Sequence, residues 1–127
     1  MQIGEDGRFG YAALPLYWSE PGRYPLLFKV DGKLGGLALV EKREACWDMA
    51  EFFVLRGWRG RGVGTKAAHD VWKRFPGVWE VRVMQANISA QHFWAGAIES
   101  FVGETILPVH FEKGGVSWSL FSFKCGP

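Results

Sequence analysis

Chemistry in this chain concentrates between Glu51 and Ala68. There Gly57, Gly60, Gly62 and Gly64 are interleaved with Arg56, Arg59 and Arg61. Glycine has no side chain to block a ligand and tolerates φ > 0, so backbone N–H groups can converge on one small concavity. The residues before the loop, Phe52 to Leu55, read as a buried strand. A helix opens at about Gly64. A helix start adds unpaired N–H groups and the positive end of its dipole. Strand, Gly-Arg loop and helix start together describe an anion site, most often a phosphate site.

Other reactive side chains are few. Glu51 sits on the strand, three residues before Val54, where a carboxylate can meet a cleft. It is either a base or a salt-bridged strand residue. His69 and His92 fall on helices, on their solvated sides, and His110 falls on a late strand. Cys46 and Cys125 lie far apart and lack metal-ligand spacing, so both read as reduced thiols, and no metal site is expected.

The 127 residues suit one domain, 1–127, with a real core. Hydrophobic residues make up 48%, which excludes a disordered chain. Seven Trp and ten Phe supply either a core of large rings or a flat-walled cleft. A net charge of +2, with the basic residues gathered in the glycine loop, argues against nucleic acid as partner. No stretch of about 18 apolar residues occurs, so no membrane helix is expected. The first residues do not resemble a signal peptide, and a cytoplasmic location follows.

The elements that must position the loop can be read in order. Residues 1–25 are punctuated by Gly and Pro, and a short helix fits Tyr11 to Ser19, with Tyr17 and Trp18 packing on the domain. Leu26 to Val30 and Leu34 to Val40 flank Asp31-Gly32, a hairpin signal. Glu41 to Trp47 reads as a charged connector and Met49 to Leu55 as the next strand. Gly64 to Phe75 carries Ala67, Ala68, Val71, Trp72 and Phe75 at helical spacing, and Pro76-Gly77 stops it. Trp79 to Met84 alternates as a strand, giving a βαβ unit with a parallel pair. A second helix follows, capped by Ser89 or Asn87, with Ala90, Phe93, Trp94, Ala97, Ile98 and Phe101 as its stripe. Strands at about Glu104 to Phe111 and Val116 to Phe123 close the chain. The fold class is α/β: a mixed, mostly antiparallel sheet with a central parallel pair and helices covering its faces.

Three phosphate patterns compete for the loop. A Walker A loop needs Gly-Lys-Ser/Thr, but here Thr65 precedes Lys66. A dinucleotide loop matches Gly62 to Ala67, yet the acidic residue expected at the end of the next strand is missing, and Glu80 instead opens that strand. The third pattern, Arg/Gln-x-x-Gly-x-Gly/Ala, is met at Arg59, Gly62 and Gly64. Here the sequence resembles the GNAT superfamily of acetyl-CoA-dependent N-acetyltransferases. Trp58-Arg59-Gly60 is similar to that family's Tyr-Arg-Gly, and Asn87, Ala90, Phe93 and Trp94 to its Asn-x-x-Ala-x-x-Phe-Tyr. The segment from Glu51 to Phe93 is most similar to a small bacterial group within it.

The resemblance implies acetyl-CoA as cofactor and a primary amine as acceptor, on a small molecule or a protein, attacked directly. It implies that backbone from Gly60 through Arg61, Gly62, Val63 and Gly64 to Thr65 holds the pyrophosphate, with Arg59 and Arg61 adding charge. Backbone of Phe53, Val54 and Leu55 would take the pantetheine arm, and the Val54 amide would stabilise the oxyanion. Glu51 would serve as base. Asn87 either contacts the arm or only caps its helix. Trp94 stands where the family's Tyr protonates the leaving thiolate, which indole cannot do, and so packs on the arm. This change also leaves room for a CoA-binding module without catalysis. The N-terminus looks shortened, without the family's first strand and helix, and a homodimer would cover the edge so exposed.

Overall fold

A computed structural model describes residues 9–13, 21–60 and 62–126, the first of these segments by its backbone. Seven strands form one sheet in the order β1-β2-β3-β4-β5-β7-β6. They are β1 (Phe9–Ala13), β2 (Arg23–Val30), β3 (Lys33–Lys42), β4 (Trp47–Val54), β5 (Gly77–Met84), β6 (Val109–Lys113) and β7 (Val116–Cys125). Helix α1 (Val63–Arg74) joins β4 to β5, and α2 (Ile88–Val102) follows β5.

Local chemistry explains most of this order. Asp31 and Gly32 have φ of 53° and 77°, so the two-residue turn between β2 and β3 has both centres left-handed, which matches the twist of the flanking strands. Gly36 lies under the Phe28 ring, and a Cβ there would collide with that ring and with the Phe53 carbonyl. Phe75 and Pro76 end α1, and Gly103, at φ 91°, ends α2.

Two expectations are corrected. Tyr11 to Ala13 belong to a strand, since β1 pairs antiparallel with β2 from Phe9↔Val30 to Ala13↔Leu26. The open edge of β2 offers a full ladder of hydrogen-bond partners, and this outweighs the local Gly and Pro signals. The N-terminus therefore does contain a first strand. The rest of the expected helix, the packing of Tyr17 and Trp18, and the role of Arg61 lie outside the described residues. Residues 104–108 are also not strand: β6 begins at Val109, after Pro108, which has no N–H to give to a ladder.

Among the described residues every strand pairing is antiparallel except β4 with β5. Both helices pack side by side on one face, α1 against β4 and α2 against β5 and β7. The core lies under them, built on Phe28, Val40, Trp72, Trp79, Val81, Ile98 and Phe121. The large rings thus serve first as core. No described helix is long and apolar enough to cross a membrane.

Candidate active site

The site is made by two irregularities of β4. The first is a bulge. Leu39 pairs with Glu51 but Val40 pairs with Met49, so Ala50 is the extra residue. The bulge resets the alternation of faces. Met49, Phe52 and Val54 point to the helices and join the core. Asp48, Glu51 and Phe53 point to the other face. The second irregularity is the short parallel pairing. Trp47 and Asp48 pair with Trp79 and Glu80, and there the β4–β5 register stops. Beyond it the two strands part.

Backbone polarity along the gap follows from the β3 pairing. The Leu55 amide donates to Gly35 O at 2.8 Å. Alternation then turns the backbone of Phe53 toward β3, and that of Phe52 and Val54 toward the gap. The Leu55 carbonyl accepts from Trp58 N at 2.9 Å. Leu55 and Phe53 therefore leave the set of residues whose backbone can line the gap, and Phe52, which sequence reasoning missed, enters it. Only the pairing register reveals this.

After β4 a 3-10 turn (Arg56–Trp58) leads into the loop. The Arg59 Nε donates to the Val54 carbonyl at 2.9 Å, and its guanidinium lies 5.5 Å from the centre of the Phe53 ring. Gly60 and Gly62 are left-handed, with φ of 76° and 75°. A Cβ on either would meet nothing within 4 Å, so the space above them is open. Gly62 is the N-cap of α1 and no side chain caps the helix. The first bond within the helix is Lys66 N to Gly62 O, 3.1 Å. The amides of Val63, Gly64 and Thr65 thus precede the helical ladder. Gly64 is needed for packing: a Cβ would stand 3.0 Å from Phe93 Cε1 and 3.4 Å from Val54 Cγ2.

A cleft of about 500 Å³ joins these parts. Phe52 and Val54 line it from β4, Gly60, Gly62, Gly64 and Thr65 from the loop and helix, and Asn87, Phe93 and Trp94 from α2. Trp94 is 7% exposed and packs edge-on against Phe52 and Phe93, with ring centres 5.0 and 4.8 Å away. Asn87 is the N-cap of α2, its Oδ1 accepting from Ala90 N at 3.0 Å, and it also borders the cleft. Capping and ligand contact are therefore compatible.

Glu51 is exposed and lies outside this cleft, on the opposite face of β4. Of the histidines, His69 is not on a solvated side: its Nε2 lies 2.9 Å from Ala97 O and 3.1 Å from Ser100 Oγ, tying α1 to α2. His92 and His110 are exposed and away from the cleft. Burial pushes the Cys46 thiol up, with Glu80 adding to it, and burial does the same to Cys125. Neither thiol is primed as a nucleophile. Among the described residues no three His, Cys, Asp or Glu side chains gather as a metal site.

Sequence reasoning also missed Asp48. It is 2% exposed, and its Oδ2 receives both Arg43 and Arg82 at 2.9 Å. That bond holds the Arg43 guanidinium above its ordinary pKa. The signal was an acid between Trp47 and Met49 in a strand otherwise destined for the core.

Comparison with known proteins agrees with this geometry. The family described as Acetyltransferase (GNAT) matches residues 4–96. A GNAT acetyltransferase from Elizabethkingia anophelis with acetyl-CoA bound superposes with a TM-score of 0.65 at 9% identity, covering 93% of this chain and 99% of that one. The ribosomal-protein-S18-alanine N-acetyltransferase from Escherichia coli gives 0.61 at 13% identity, covering 91% and 93%. An IAA acetyltransferase from Bacillus cereus gives 0.62 at 12%, covering 92% and 99%. At these identities the likeness is one of fold. No curated protein matches the chain in sequence. With a match that runs from before β1 into α2 and takes in both the Gly-Arg loop and Asn87, the chain belongs to the GNAT family of acetyltransferases.

Proposed function

We propose that the protein moves an acetyl group from acetyl-CoA to a primary amine by direct attack. The observation that carries this is the uncapped start of α1, opening with Gly60 and Gly62 into a cleft that runs along the parted edge of β4. The residues fit the cofactor. The amides of Val63, Gly64 and Thr65, which precede the helical ladder, and the open space above Gly60 and Gly62 suit a pyrophosphate. Arg59, braced on the Val54 carbonyl, adds positive charge at the same end. Val54 and Phe52 direct backbone groups into the gap, where an extended pantetheine arm can pair as a strand would. An amide there can also donate to the thioester oxygen as it gains negative charge. Acetyl-CoA supplies the activated acyl group.

Glu51 is the proposed base. It stands beside the bulge, on the face opposite the cleft, so that it approaches the gap from the acceptor side. An amine of pKa about 10 is mostly protonated at neutral pH, and a carboxylate acting through water can take the proton. Trp94 packs beside the arm and gives no proton. A thiolate of pKa about 8–9 leaves without one.

Thermal shift with acetyl-CoA tests the cofactor, and no stabilisation at millimolar concentration would sink the reading. Thiol release across an amine panel tests transfer. Glu51→Gln should lower kcat by about a hundredfold while leaving acetyl-CoA affinity unchanged. Equal turnover by that variant would remove Glu51 from the mechanism. Binding without turnover on any amine would leave a CoA-binding module, the outcome that Trp94 favours.

A further inference from the structure

A second cavity, of about 380 Å³, opens on the face of the sheet away from the helices. Asp48 and Ala50 line it from β4, Arg82 from β5, Phe111 and Lys113 from β6, and Trp118 from β7. It therefore begins where β4 and β5 part, across the sheet from the first cleft. Arg82 points there because Val81 and Val83, its neighbours on β5, are buried under the helices. Phe111 and Trp118 are direct partners across β6 and β7 and form a flat apolar wall.

Asp48 is the unusual group. Both guanidinium bonds fall on Oδ2, while Oδ1 is buried and has no hydrogen-bond partner. Buried carboxylate oxygens are normally satisfied. One acceptor is thus left at the floor of a cavity. The charges around it are unbalanced. Asp48 is answered by Arg82 and by Arg43, which Glu41 also shares at 3.3 Å, and Lys113 stands exposed at the rim without an ion pair among the described residues. Glu80, two residues before Arg82, shares its face but does not line the cavity. Glu112 alternates to the other side of β6 from Lys113 and takes the Ser117 hydroxyl. The side chains that line the cavity thus carry two cations, Arg82 and Lys113, against one carboxylate, Asp48.

We infer that this cavity seats the acceptor, and that it selects a small amine which also carries a carboxylate. The inference rests on the acetyl-transfer reading. A simple ammonium would meet repulsion from Arg82 and Lys113. A carboxylate on the same molecule pairs with them, its carbon chain lies on Phe111 and Trp118, and one N–H or O–H fills the vacant Asp48 Oδ1. The amine is then held at the Ala50 bulge, beside Glu51 and the gap. The volume lies near the lower bound of small-ligand pockets, which suits a metabolite better than a protein segment.

The test uses the full chain with acetyl-CoA and pairs of acceptors that differ in one group: standard amino acids against their decarboxylated amines. The carboxylate-bearing members should show kcat/KM higher by about fivefold or more. Lys113→Gln should raise KM for those members alone, with kcat unchanged, and Lys113→Glu should raise it further. Lys113 is exposed on an edge strand, so both variants should melt as the parent does. A merely structural role for Lys113 would move both acceptor classes together. Equal or better use of decarboxylated amines overturns the inference, as does use of peptide N-termini alone. Calorimetry on the acetyl-CoA-loaded protein covers the remaining case: if no carboxylate-bearing amine binds at millimolar concentration, the inference fails. Acetyl-CoA binding is read separately by thermal shift, so failure of the cavity and failure of acetyl transfer are distinguishable.

Discussion

Replacing Gly62 by alanine separates the fold from the cofactor grip. Gly62 has φ 75° and ψ 4°, and a Cβ there would meet nothing within 4 Å. The folded chain therefore accepts the methyl group without a clash and loses only the left-handed penalty of a non-glycine residue, about 1–2 kcal/mol. That is a fall of a few degrees in Tm for a chain of this size. Gly62 lines the cleft, so the same methyl group takes up space beside the start of α1. Displacing one phosphate oxygen from one amide removes a charge-assisted hydrogen bond of about 2–3 kcal/mol, or about 30- to 150-fold in affinity. Gly32→Ala is the matched control, since Gly32 has φ 77° and equally open surroundings but sits in the β2–β3 turn and does not line the cleft. Both variants should melt at similarly lowered temperatures. In calorimetry with acetyl-CoA, only Gly62→Ala should lose affinity. Equal affinity in the two variants would refute the argument that α1 opens onto the ligand.

Other outcomes follow from single contacts. Asn87→Ala removes the bond to Ala90 N and should cost about 1 kcal/mol, read as a lowered urea midpoint. Asp48→Ala removes this partner from Arg82 and leaves Arg43 with Glu41, and both guanidinium ends reach solvent, so the loss should be about 1–2 kcal/mol; an unchanged midpoint would show that the buried pairing contributes nothing. The cysteines predict a pH response. Burial raises the Cys125 thiol in the fold, so the unfolded chain ionises first. The stabilising contribution is whole below the unfolded thiol's pKa of about 8.5 and is lost as pH rises through the folded value. Urea midpoints should fall above that pH, and fall less in Cys125→Ala.

Much of the frame was legible where one segment carries its own instruction. Asp31-Gly32 turns left-handed because both residue types tolerate φ > 0, and Ala67, Val71 and Trp72 mark the buried side of α1 within the helix itself. The strand β1 was not legible. Its residues have weak local preference, and the edge of β2 recruits them. Asp48 fell between the connector and the strand and was given no role, because its partner Arg82 lies 34 residues away. His69 was read as solvated because the α2 residues that cover it, Ala97 and Ser100, are 28 and 31 positions downstream.

The division is physical. By itself the sequence determined the anion loop, since glycine backbone freedom, arginine charge and a helix start are local properties of Arg56 to Thr65. It also determined the hairpin, the βαβ order and the family. Tertiary structure alone decided how β4 is used. The Ala50 bulge and the early end of the β4–β5 pairing are properties of the neighbours' register, not of β4. They turn Phe52 and Val54 toward the cofactor cleft and Asp48 and Glu51 toward the opposite face. One strand thereby serves two cavities, because a single extra residue reverses which side its later residues face.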